Sequence, residues 1–197
     1  RNGGEVRFRT PLTGVDVQNG ALRAIRAAGG EVACERAVLA VGHSARDTFV
    51  ALHQNGVYFE PKAFSVGVRI EHLQSEIDRA LYGKYAGHPL LPPAEYNLSR
   101  RAGGRACYTF CMCPGGVVVA AQSEEHTVVT NGMSYHERSG KNANAAIAVS
   151  VDPKDYDDGT PFGGVSLQRQ IERAAFAQTG SYRAPCQRVG DFLAGKP

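Results

Sequence analysis

The sequence has no apolar run approaching the roughly 18 residues that a bilayer-spanning helix needs. Nor does it open with the basic, apolar and small-residue order of a secretory leader. No membrane partner is expected. It has little excess charge: the formal net charge is +3, with Lys and Arg scattered along the chain. That footprint is too weak for binding dominated by a phosphate backbone, so nucleic acid is not an expected partner either. Cysteine is sparse and odd in number, with Cys34, Cys107, Cys111, Cys113 and Cys186 spread over 197 residues. This argues against a secreted disulfide framework and for a reducing, cytoplasmic setting. The C-x2-C pairs of a structural zinc site are missing, and His88 and His126 have no partner at metal or catalytic spacing, so no metal ligand is assigned. No internal repeat is present. The sequence begins at Arg1 without a Met and runs at once into strand-like text, which is read as a piece of a longer protein.

What is there suits a globular core: 43% of residues are hydrophobic. From Glu5 to Val17 apolar and polar residues alternate, and Asn19-Gly20 supplies residues that accept positive φ in a hairpin. A second strand from Ala21 to Ala27, a turn at Gly29-Gly30 and a short strand near Val32 continue the meander. The uninterrupted apolar run Ala37 to Val41 reads as a central strand buried on both faces. It ends at Gly42, and a helix carrying Phe49 and Leu52 follows, stopped by Asn55-Gly56. After Pro61 the character changes. FSVGVRIEH alternates as a half-buried strand, a short helix is expected around Ile77 and Leu81, and the Gly-, Pro- and Arg-rich text from 83 to 106 reads mostly as loop. A series of short strands leads to a final helix with Leu167, Ile171, Ala174 and Ala175 on one face and Gly180 as its stop.

Three places carry candidate chemistry. A strand ending in Gly42, followed by His43 and Ser44, is where a nucleotide contacts an open α/β sheet; it is equally an ordinary turn with Ser44 or Asp47 capping the helix. In TFCMCPGG, strand periodicity would put Cys107, Thr109, Cys111 and Cys113 on one side. The thiols are either buried small hydrophobes or redox-active groups. Pro114, Gly115 and Gly116 form either a type II turn or a close backbone approach to a flat ligand, and both can hold at once. Arg100, Arg101 and Arg105 either receive an anion or lie on a solvated loop.

Taken together, RAVLAVGHSARDTF, KAFSVGVRIEH, YGKYAGHPLLPPAEYNL, YTFCMCPGG, VVVAAQSEE, VVTNGMSYHERSGKNANAAIAVSV and RAPCQRVGDFL resemble the bacterial FAD-dependent dehydrogenases of unassigned substrate, in the glutathione-reductase-like flavoprotein group. The resemblance implies an α+β fold. Residues 1–60 would be the β-meander and last strand of a Rossmann-type FAD domain, and residues 61–197 a mainly β, mixed-sheet substrate domain with a few helices. It implies FAD as cofactor in the full-length protein, NAD(P)H as an electron donor and a small-molecule substrate. By the same resemblance Gly42, His43 and Ser44 face the nucleotide, while Pro114, Gly115 and Gly116 lie by the flavin ring with Cys111 and Cys113 as catalytic thiols. The G-x-G-x-x-G turn that holds the FAD pyrophosphate is absent from these 197 residues, so the segment alone is expected to be inactive. The alternative is a non-catalytic ligand-binding or docking domain.

Overall fold

A computed structural model describes residues 3–196, which divide into two compact units, Arg1–Glu60 and Pro61–Pro197. The first unit opens with an antiparallel meander of β1 (Leu12–Gln18), β2 (Ala21–Ala27) and β3 (Gly30–Ala33). Asn19 and Gly20 join β1 to β2 with φ of 53° and 75°, the left-handed pair that a two-residue hairpin requires. Pairing starts only after Pro11, so the alternating text before it is not strand. Helix α1 (Arg46–Gln54) packs on β1 and buries Leu52. Asn55 ties its end to the meander, donating to the Ala51 carbonyl at 2.6 Å and accepting from Arg26, which also donates to the Val15 carbonyl at 2.9 Å.

Residues 37–41 differ from expectation. They form no strand, and Val38 is 95% exposed. A strand covered on both faces needs neighbours at both edges to take its backbone N–H and C=O groups, and among the described residues none pairs with it.

In the second unit β4 (Phe64–Leu73) and β9 (Asn142–Val151) run antiparallel in unbroken register from Phe64 opposite Val151 to Leu73 opposite Asn142. On the other side of β9 lies β6 (Arg105–Thr109), then β5 (Ser99–Ala102) at the edge. A separate pair, β7 (Val117–Ala121) and β8 (Val129–Met133), completes the strands. Every described pairing is antiparallel, which corrects the mixed sheet expected.

The fold is thus α+β. Helix α2 (Gln74–Tyr82) follows β4 directly, and its Ile77 packs with Ile70 and Tyr96 on buried Met112, Ala143 and Ala145. A short 3-10 turn, Gly83–Tyr85, ends it. Helix α3 (Pro153–Tyr156) starts with a capping box between Asp152 and Asp155. Helices α4 (Gly163–Thr179) and α5 (Val189–Leu193) close the unit.

Two further expectations change. The text read as loop contains the β5–β6 hairpin, so Arg100 and Arg101 stand exposed on an edge strand, while Arg105 is bonded to Asp155. Helix α4 does stop at Gly180, in left-handed conformation, but Ile171 is 43% exposed and Glu172 is buried. The face turned inward carries Arg169, Glu172 and Phe176. Arg169 pairs with Glu124, the Glu172 carbonyl accepts from the Val128 N–H at 3.1 Å, and Phe176 meets the rings of His126 and Tyr182. These polar and aromatic anchors outweigh the small apolar stripe.

Candidate functional site

The expected site residues fall in both units. In the first, Gly42 takes φ of +74°, and nothing lies within 4 Å of where a Cβ would stand, so its backbone is open on that side. His43 and Ser44 are exposed, their side chains 3.4 Å apart, and the Ser44 carbonyl accepts from the Arg46 N–H at 2.9 Å as α1 begins. Asp47 accepts from the Thr48 N–H at 2.8 Å within the first turn. The N-cap position itself is Ala45, which offers no side-chain bond, so neither Ser44 nor Asp47 occupies it.

In the second unit the thiols are arranged differently from a continuous strand. Strand β6 ends at Thr109, opposite Ile147, and the Phe110 N–H still donates to the Ala146 carbonyl at 2.9 Å. Cys113 then exchanges backbone hydrogen bonds of 2.7 and 3.3 Å with Asn144. Cys111 and Met112 therefore stand together against Ala145 alone, a β-bulge with one extra residue. The slip reverses the faces. Met112 turns into the core beside Ala143 and Ala145, Cys111 is exposed, and Cys113 is half-buried on the side of the sheet opposite Cys107. The shared face expected for Cys107, Cys111 and Cys113 is thus corrected.

Pro114, Gly115 and Gly116 are buried, and the chain itself fills the space beside the glycines. Gly115 has φ of +55°, and a Cβ there would strike the Arg138 carbonyl. Its N–H donates at 3.0 Å to the side-chain oxygen of Gln74. Buried Gln74 in turn donates to Asp78 at 2.8 Å and to the Ala94 carbonyl at 3.0 Å, binding the turn to α2 and to the segment after it. At this corner Cys111 is the predicted site residue that reaches the surface.

Several polar groups escaped the sequence reading. His72 and Tyr96 hydrogen-bond through Nε2 and the phenol at 2.7 Å, and burial raises the Tyr96 pKa. On the opposite face of the sheet Arg69 donates to Asn144 at 2.7 Å. The one available signal was Asn142 and Asn144 alternating with alanines in NANAAIA, polar residues with period two in apolar text. Among the described residues no group of three His, Cys, Asp or Glu is placed to hold a metal ion, and no helix is long and apolar enough to cross a membrane.

Residues 63–197 match the family described as FAD-dependent protein, C-terminal domain-like, and the chain belongs to it. The chain is also 47% identical over 196 residues to an uncharacterized protein of Clostridium beijerinckii, a match covering 98% of this chain and 37% of that relative.

Proposed function

We propose, taking membership of the FAD-dependent family as premise, that these residues are an internal segment of a flavoprotein oxidoreductase of the glutathione-reductase-like group. Residues 61–197 would be its substrate domain, and residues 1–60 part of its FAD domain. The observation that carries the reading is the family match across nearly all of the second unit. FAD supplies the electron-accepting and electron-donating chemistry when bound.

The residues present fit a nucleotide in part. Gly42 offers open backbone, followed by exposed His43 and Ser44 and then the start of α1. These three would hold the nucleotide. Pro114, Gly115 and Gly116 would act from behind, because the Gly115 N–H already serves Gln74. They fix the bulge and so aim Cys111 outward. A thiol there can hold or pass a proton at Sγ toward a bound small molecule, and half-buried Cys113 would support it. The setting would be cytoplasmic, with NAD(P)H as donor.

The test uses the full-length protein. It should carry a flavin absorbance that NADH or NADPH bleaches, and Cys111→Ser should slow flavin reduction while the melting temperature stays within a few degrees. Cys113→Ser should act mainly on stability, costing on the order of 1 to 3 kcal/mol through a poorly accommodated hydroxyl. A protein that binds no flavin would sink the whole reading. Unchanged reduction and reoxidation in Cys111→Ser would remove the thiol from it.

A further inference from the structure

The Gly- and Pro-rich block YGKYAGHPLLPPAEYNL, residues 82–98, has no part in the flavin reading, and with the end of α2 it bounds a cleft of about 260 Å³. Tyr82, Leu91 and the three prolines Pro89, Pro92 and Pro93 line it. An apolar cavity of about 150 Å³ takes up benzene, so the volume here suits one six-membered ring with a short substituent.

The walls are set before any ligand arrives. The His88 N–H donates to the Tyr85 carbonyl at 3.0 Å, and the Leu91 N–H donates to the His88 carbonyl at 2.9 Å. The Leu90 N–H reaches His88 Nδ1 at 3.3 Å. Along the same stretch the three prolines fix their own φ. A ligand therefore meets a preformed surface, and little ordering is needed on binding.

Asp78 decides the charge of that ligand. It is half-buried and lines the cleft. Its Oδ1 accepts from Gln74 Nε2 and from the Ala94 N–H, both at 2.8 Å. Among the described residues nothing donates to its Oδ2 and no cation pairs with it. Nor is Oδ2 one of the sealed, unpartnered atoms of the fold, so it is reachable from outside. Neighbouring Arg79 lines the adjoining cleft instead, and its Nε donates back to the Ser75 carbonyl at 3.2 Å. With His88 neutral, Asp78 is the one charged residue in this lining. A carboxylate with one oxygen fixed and the other open receives the N–H of a cation well. A divalent metal ion needs several oxygen ligands, and among the described residues no group of three His, Cys, Asp or Glu is placed to supply them.

We propose that this cleft binds a small organic ammonium ion. Its apolar body lies against Tyr82, Leu91 and the prolines, and its N–H donates to Asp78 Oδ2. The proposal does not depend on the flavin reading.

The experiment uses the full-length protein at pH 7, where benzylamine is protonated, with benzyl alcohol as the neutral probe of the same shape. Titrations followed by melting temperature at equal ionic strength should give benzylammonium a dissociation constant at least fivefold below that of the alcohol. Asp78→Asn keeps an oxygen for Gln74 and the Ala94 N–H, and it should remove that preference while leaving the response to the alcohol in place. Should Asp78→Asn fail to fold, Leu91→Trp carries the test: it fills the cleft from a partly exposed position and should abolish the response to both probes. Crystals soaked in 4-bromobenzylamine should show an anomalous peak between Tyr82 and Pro92, with the nitrogen at hydrogen-bonding distance from Asp78 Oδ2. Equal responses to amine and alcohol in the native protein, an amine preference that survives Asp78→Asn or Leu91→Trp, or another segment of the full-length protein filling the cleft would overturn the proposal.

Discussion

Asp155 shows how much one side chain can organise. One of its oxygens accepts from Arg105 Nη1 at 2.7 Å and from the Asp152 N–H at 2.9 Å, and the other accepts from Arg105 Nη2. The Arg105 hydrogen bonds, then the Asp152 N–H, hold its carboxyl well below the usual carboxylate range. The folded-state value is depressed, so the stability it confers is complete above the unfolded value, about 3.9. That contribution is lost as pH falls from there toward the folded value. Asp155→Asn should therefore melt below the native protein at pH 7, and the gap should shrink as pH falls below about 4. Melting curves of the two proteins between pH 7 and pH 2.5 check this. A gap that is constant with pH would show that the ionised carboxylate contributes nothing.

Among the elements, the turn after the bulge is held chiefly from outside itself. Gln74 at the start of α2 takes the Gly115 N–H and donates to Asp78 and to the Ala94 carbonyl, so one amide joins a helix, a tight turn and an irregular segment. Gln74→Ala leaves the Gly115 N–H buried without an acceptor and should cost on the order of 2 to 3 kcal/mol in urea unfolding. A change below about 0.5 kcal/mol, the ordinary size of a surface substitution, would mean that the turn stands without it.

None of this linkage was legible in the sequence, because Gln74 reads as one more polar residue between FSVGVRIEH and its helix. Signals carried by neighbouring residues were legible: the Asn19-Gly20 hairpin, the existence of strand β4, though Val68 on its apolar side is 69% exposed and its burial does not alternate, and the Gly180 stop of α4. The bulge was not, because the register of Cys113 is set by Asn144, far along the chain. The β5–β6 hairpin was missed for a related reason. Its pairing is made by the backbone, and Arg- and Gly-rich text at an exposed edge carries no apolar alternation to show it. At residues 37–41 the apolar run predicts burial, but burial of a strand is decided by neighbours that no described strand supplies.

At the scale of the whole molecule, the chain spans about 37% of the length of the relative it matches. Val38 and Leu39 are exposed on the run before Gly42, the position proposed to meet the nucleotide. A pyrophosphate is held through several backbone N–H groups at a glycine-rich helix start, and these 197 residues contain no such fingerprint. On the proposed reading, Gly42, His43 and Ser44 would then add only part of the contact to FAD. It follows that residues 1–197 alone should purify colourless and gain no thermal stability from added FAD, whereas the full-length protein should hold the flavin. A ligand present at a hundredfold its Kd stabilises by about 2.7 kcal/mol, which for a protein of this size raises the melting temperature by several degrees. Parallel melts of the two proteins with and without FAD decide the point. A clear upward shift in the shorter one would place the principal FAD contacts within these residues and overturn the division of labour proposed for the two units.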